Sequence, residues 1–190
     1  MPPTQQRFSV RPLAPDEVSG RLLPDVLWVF SGALGFARKS SRVVSFADTV
    51  RRHAAYPGFT AFGAFDQRGR LVGFSYGYTS QPGLWWREQV CAALPPEQRD
   101  DWFADAFELA ELHVHPSAQG HRLGSQLHDR LIDSQSHATA LLSVMHRSER
   151  ARSLYASRGW QALVEDMRFS TEPATPFSLL GVRLDRSASG

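Results

Sequence analysis

The sequence predicts a mixed α/β fold, and three observations carry that prediction. Stretches in which apolar residues alternate are interleaved with stretches in which they recur at helical spacing. Two β-rich runs, 59–65 and 71–78, flank the turn residues Asp66-Gln67-Arg68-Gly69-Arg70. Further on, a strand pattern ends at Pro116, and an amphipathic helix follows the turn Gln119-Gly120-His121-Arg122-Leu123-Gly124.

Taken in order, Phe8 and Val10 alternate with polar neighbours ahead of Pro12 and predict a first strand. Ala14-Pro15-Asp16-Glu17 is a helix start, with proline in the first turn and acids at the positive end of the dipole. Helical spacing over 25–36 and 43–55 predicts two helices, the first with a breaker near Gly32. The hairpin 59–78 follows, and Gln81-Pro82-Gly83 ends its second strand. Residues 84–106 interrupt the pattern before a strand resumes at Phe107; within them Pro95-Pro96-Glu97 starts a helix. After the Gly124 helix come a strand over 139–145 and a helix over 149–157 that ends at Gly159. Strands over 163–169 and 177–184 flank Thr171-Glu172-Pro173-Ala174, and the tail 185–190 is expected to fray.

At 190 residues and 21.2 kDa the chain is expected to form one domain, 1–190, with an inserted segment at 81–106. Its 42% hydrophobic and 21% charged residues are ordinary for a soluble globular protein. The net charge is +2 and the arginines are scattered, so no nucleic-acid partner is expected. Cys91 is the only cysteine, which excludes an intrachain disulfide and a cysteine-rich zinc site. The start, MPPTQQRFSV, lacks the basic-then-apolar plan of a secretory signal. The apolar stretch 26–37 is too short to span a bilayer and is broken by Ser31, Gly32 and Gly35. No membrane association is expected, and the cytoplasm is the expected location.

The strand–turn–helix of 108–127 builds an anion cradle. Backbone N–H groups of the loop and the first helical turn converge, and the helix dipole adds to their pull on a phosphate. Here the chain resembles the GNAT acyltransferase superfamily, whose loop reads Gln/Arg-x-x-Gly-x-Gly/Ala. Gln119 and Gly124 match it, while Arg122 replaces the middle glycine. The resemblance implies that Gln119, Gly120, His121, Arg122, Leu123, Gly124 and Ser125 grip the pyrophosphate of acetyl-CoA. Arg122 either obstructs a close backbone approach or offers a charge-assisted contact to phosphate.

A second segment, from Ser148 to Trp160, resembles the family's Asn-x-x-Ala-x-x-Leu-Tyr-x-x-x-Gly-Phe. Ala151, Leu154, Tyr155 and Gly159 match; Ser148 replaces Asn, and Trp160 replaces Phe. Ser148 is assigned to the coenzyme site and can also cap the helix through its hydroxyl. With both motifs in order, the resemblance implies a twisted, mostly antiparallel sheet of about seven strands flanked by helices and splayed between strands four and five.

The implied reaction is direct attack of an amine on the thioester within a ternary complex. It needs a base, an oxyanion donor and an acid for the departing sulfur. Tyr155 matches the family's acid, its alternative role being that of a core tyrosine. Glu111 is the candidate base, acting directly, through water, or only to orient. Strand alternation puts Glu111, His113 and His115 on one side and Leu112 and Val114 on the other. The backbone of Leu112, His113 and Val114 is implied to pair with the pantetheine arm. Two histidines on one face invite a metal, but no third ligand is evident and none is expected. His121 and His128 are read as loop and helix-surface residues.

Trp85 and Trp86, with nearby acids, could wall an acceptor pocket for a cationic amine, or could simply pin the long connection to the core. The function expected is transfer of an acetyl group from acetyl-CoA to a small-molecule primary amine. The alternatives are a peptide or protein amine acceptor, or a non-catalytic acyl-CoA sensor. A homodimer stays open.

Overall fold

The computed structural model describes residues 8–184, so the expected fraying of 185–190 lies outside the described residues. Strands β1 (Ser9–Leu13), β2 (Thr60–Phe65), β3 (Leu71–Thr79), β4 (Ala106–Val114), β5 (Thr139–Met145), β6 (Gln161–Met167) and β7 (Phe177–Arg183) form one sheet. Their order is β1-β2-β3-β4-β5-β7-β6. The helices are α1 (Pro15–Ser19), α2 (Leu23–Leu34), α3 (Ser41–Ala54), α4 (Trp85–Ala93), α5 (Pro96–Trp102), α6 (Leu123–Asp133) and α7 (Glu149–Ala156). The sheet is mostly antiparallel and flanked by helices, as the sequence predicts. Its parallel pair, β4 with β5, matches Ala106–Glu108 to Thr139–Leu141, after which β4 runs on to Val114 and β5 to Met145.

Two compact units divide the chain: one runs to Tyr78 and takes up Glu111–Ser134, and the other comprises Thr79–Ala110 and the chain from Gln135 on. Strand β4 contributes residues to both.

In the first unit, β1 pairs antiparallel with β2 from Ser9↔Phe65 to Leu13↔Ala61, and β2 with β3 from Thr60↔Gly77. The hairpin turn closes because the Asp66 carboxylate accepts from the amides of Arg68 and Arg70, both at 2.9 Å. Helix α6 buries Leu123 and Leu127 against Ala64, Val72 and Ala118. One expectation needs correction: Gly32 does not break α2, which runs unbroken to Leu34 and ends at the left-handed Gly35. Gly32 instead admits a neighbour, since a Cβ there would lie 2.4 Å from Cδ2 of His115.

In the second unit, β5 pairs antiparallel with β7 along its full length, and β6 lies on the other side of β7 with two irregularities in register. The connection 81–106 is not a structureless excursion. It folds into α4 and α5, and Val90, Leu94, Trp102 and Phe103 form a core with Leu141, Met167, Phe169 and Leu179. The ring of Trp102 sits over Gly181, where a Cβ would meet it at 2.7 Å, and Arg183 covers it at 4.2 Å. The Thr139 hydroxyl donates to the Trp102 carbonyl at 2.7 Å, tying the end of the segment to β5.

Candidate functional site

In the first unit the loop from β4 to α6 is fixed by its own polar groups. A single 3-10 turn, Pro116–Ala118, follows the strand, and His115 Nδ1 accepts from the Ser117 amide at 3.2 Å. The Gln119 side chain reaches back to donate to the Val114 carbonyl at 3.1 Å. His121 Nδ1 turns into the loop, 3.1 Å from the Gln119 carbonyl.

Arg122 then enters α6 with φ 59° and ψ 19°, the left-handed conformation. Among the described residues it is the only non-glycine with positive φ. The position where the family loop carries glycine thus keeps the glycine-type backbone while holding an arginine. No side chain caps α6, and its first backbone bond runs from the Gln126 amide to the Arg122 carbonyl at 3.0 Å. The amides of Leu123, Gly124 and Ser125 are therefore the orphan donors of the first turn. Leu123 is buried and anchors that turn. At Gly124 a Cβ would meet nothing nearer than Leu112 Cδ2, at 3.9 Å. Packing does not demand glycine there; its bare Cα keeps the amides accessible. This arrangement fits a diphosphate. His128, by contrast, is not a surface residue: it is buried, and its Nδ1 lies 2.8 Å from Asp129 Oδ1. Helical spacing puts it on the face of Leu131, three residues on.

Alternation along β4 holds. Glu111 and His113 share a side, with Glu111 Oε2 only 2.5 Å from His113 Nε2. Both are largely covered, with 21% and 14% of their side chains exposed. The imidazole lies edge-on to Phe30 of α2 at 5.4 Å and beside Phe74 of β3 at 5.5 Å. His115, one pleat along, stacks on Trp28 at 3.6 Å, and the Arg70 guanidinium lies over that indole at 3.5 Å. Burial holds the His115 imidazole below its usual pKa, and the charges of Arg70 and Arg38 add to that. His113 and His115 thus have separate partners. Among the described residues, no group of three or more His, Cys, Asp or Glu could hold a metal ion.

In the second unit Tyr155 lies near the end of α7, 5% exposed, with its ring 5.6 Å from that of Trp160. Ser148 occupies the N-cap of α7, but its side chain makes no cap hydrogen bond, contrary to expectation. Its ψ of 64° departs from the extended value that aims a capping hydroxyl at the first-turn amides. The tryptophan pair divides in role. Trp86 packs against the second-unit core and donates its indole N–H to Ser143 Oγ at 3.0 Å. Trp85 is 50% exposed, with its ring 5.5 Å from Phe169. Phe30 and Phe74 were missed from the sequence because each reads there as an ordinary core aromatic. The Glu111–His113 contact, however, was implicit in the strand alternation.

The model of the acetyltransferase (GNAT) family matches residues 25–160 of this chain. A GCN5-like protein acetyltransferase of Mycobacterium tuberculosis is 34% identical over 122 residues, which cover 58% of this chain. The match spans only 57% of that relative's length. Solved structures share the fold. A GNAT-family protein of Desulfovibrio desulfuricans gives a TM-score of 0.65 at 12% identity, over 94% of this chain and 100% of its own. The yncA protein of Salmonella typhimurium, solved with its cofactor acetyl-CoA, gives 0.62 at 14% identity, over 97% and 98%. The ribosomal-protein-S18-alanine N-acetyltransferase of Escherichia coli gives 0.61 at 18% identity, over 97% of both chains.

Proposed function

The chain belongs to the acetyltransferase (GNAT) family, and on that premise we propose that it transfers an acetyl group from acetyl-CoA to a primary amine of a small molecule. The observation that carries the reading is the uncapped start of α6, with left-handed Arg122 and bare Gly124 at the end of β4. In this reading the amides of 123–125 bind the pyrophosphate, with the tethered loop of Gln119, Gly120 and His121 beside them. Ser148 joins the coenzyme site, and the backbone of Leu112, His113 and Val114 pairs with the pantetheine arm. Glu111 serves the removal of the amine proton. Tyr155 protonates the departing thiolate, its phenol hydroxyl serving as the proton donor. Trp85 and Trp86 border the acceptor.

A peptide or protein amine is the second reading, favoured by the description of the mycobacterial relative as a protein acetyltransferase. The deciding experiment incubates the protein with acetyl-CoA and a panel of amines and peptides while free thiol is followed. Thiol release with small amines supports the first reading, and release with peptides alone supports the second. Binding of acetyl-CoA without release to any acceptor would make the protein an acyl-CoA sensor. Tyr155→Phe should lower turnover and leave coenzyme affinity unchanged; equal turnover with chemistry rate-limiting removes Tyr155 as the acid.

A further inference from the structure

The contact between Glu111 and His113 has a direction. Glu111 Oε2 lies 2.5 Å from His113 Nε2, and an ionised carboxylate can only accept, so with Glu111 ionised Nε2 is the donor. The imidazole then presents Nδ1 as a bare lone pair. No hydrogen-bond partner holds Nδ1 among the described residues, and the rings flanking it, Phe30 and Phe74, offer no polar atom. A carboxylate fixed on one imidazole nitrogen sets the tautomer and stabilises the imidazolium once the other nitrogen takes a proton.

Resting on the acetyl-transfer reading above, we propose that His113 Nδ1 is the atom that accepts the amine proton, and that Glu111 acts through the ring as a positioning residue. The neutral amine nitrogen attacks the thioester carbon, forming the C–N bond while the carbonyl π pair moves to oxygen. When that pair returns, the C–S bond breaks and its electrons leave on sulfur. The nitrogen gives up one proton to His113 Nδ1, and the thiolate gains one from an acid. The products are amide and thiol, and the imidazolium returns its proton through solvent to that acid.

Phe30 of α2 and Phe74 of β3 place uncharged rings against the imidazole; the titratable groups beside it on β4 are Glu111, in hydrogen-bond contact, and His115, one pleat along and stacked on Trp28.

The test compares pH profiles of kcat/KM for the wild type, His113→Gln and Glu111→Gln. Glutamine at 113 can still donate to Glu111 but has no nitrogen that accepts a proton. His113→Gln should lower kcat/KM by roughly a hundredfold and abolish the acid limb, with acetyl-CoA affinity unchanged. Glu111→Gln should retain the limb and move it to lower pH. The proposal is overturned if His113→Gln keeps the limb while Glu111→Gln loses it. A second readout needs no acceptor: nitrogen NMR of the folded wild type should show the Nε2–H tautomer at His113, and the Nδ1–H tautomer would refute the assignment. Failure of acetyl-CoA to bind the wild type would instead defeat the functional reading itself.

Discussion

Replacing Arg122 with glycine separates what its backbone costs from what its guanidinium contributes. Its φ of 59° and ψ of 19° cost an L-residue roughly 1–2 kcal/mol and glycine almost nothing. Glycine also loosens the unfolded chain, an opposing effect of about 0.5–1 kcal/mol. The balance leaves Arg122→Gly more stable by up to about 1 kcal/mol, a rise in Tm of roughly 2–4 °C. Affinity should move the other way. Arg122 is exposed at the N-cap of α6, and a charge-assisted hydrogen bond from its guanidinium to phosphate would be worth about 1.5–3 kcal/mol. Its loss should raise the Kd for acetyl-CoA roughly ten- to a hundredfold. Thermal unfolding without ligand and calorimetric titration with acetyl-CoA read the two effects separately. Arg122→Ala keeps the backbone cost without the charge, so it should bind as weakly as the glycine variant and unfold at a lower temperature. Binding by Arg122→Gly as tight as the wild type would show that the arginine makes no phosphate contact. A lower Tm for Arg122→Gly would refute the strain argument.

His53 predicts an acid limb in stability. Packed against Tyr56, Tyr76 and Tyr78, it is held by burial, and secondarily by Arg52, at about 4 instead of 6.5. The unfolded chain binds a proton there first, so stability is full above 6.5 and falls as pH drops toward 4, by up to about 3 kcal/mol at ~1.4 kcal/mol per pH unit. In chemical unfolding His53→Phe should flatten that slope, and an equal slope in both proteins would remove His53 as its source. Glu17 is held at about 2 instead of 4.5, first by its hydrogen bond from Arg11, so its contribution is full above 4.5 and is lost as pH falls through about 2. Gly181→Ala should cost about 1–3 kcal/mol by driving a Cβ into the Trp102 ring, and less in a Trp102→Ala background, where Leu163 Cδ1 at 2.9 Å still crowds it; equal costs in both backgrounds would refute the contact. Trp86→Ala should cost roughly 3–5 kcal/mol of stability, whereas Trp85→Ala should fold normally and raise the acceptor's KM above any change for acetyl-CoA. A folded Trp85→Ala with unchanged acceptor kinetics removes Trp85 from the acceptor site.

Much of this architecture is legible in the sequence because each element carries its own local signal. The β-rich run of 71–78, the turn chemistry of Asp66 to Arg70 and the amphipathic pattern that follows Gly124 each point to a single conformation. Helix α4 was missed because it begins at Trp85 behind Leu84, with no capping side chain, and its apolar residues resemble a loop's anchors. Gly32 misled for the opposite reason: its role comes from His115, more than eighty residues away, which no local pattern reveals. In the candidate site, alternation put Glu111 and His113 on one face, but their hydrogen bond depends on side-chain rotamers. The substitution at Arg122 was visible in the motif, whereas its left-handed backbone emerged only from the fold.

The central claim, that the α6 entrance binds the diphosphate of acetyl-CoA, is tested most directly by calorimetric titration of the intact chain and of Gly124→Glu. The wild type should bind acetyl-CoA and gain thermal stability from it. Gly124→Glu should fold, because a Cβ there meets only Leu112 Cδ2, at 3.9 Å, yet bind far more weakly, with a carboxylate at the orphan amides. Absence of binding by the folded wild type, or equal binding by the glutamate variant, would contradict the claim.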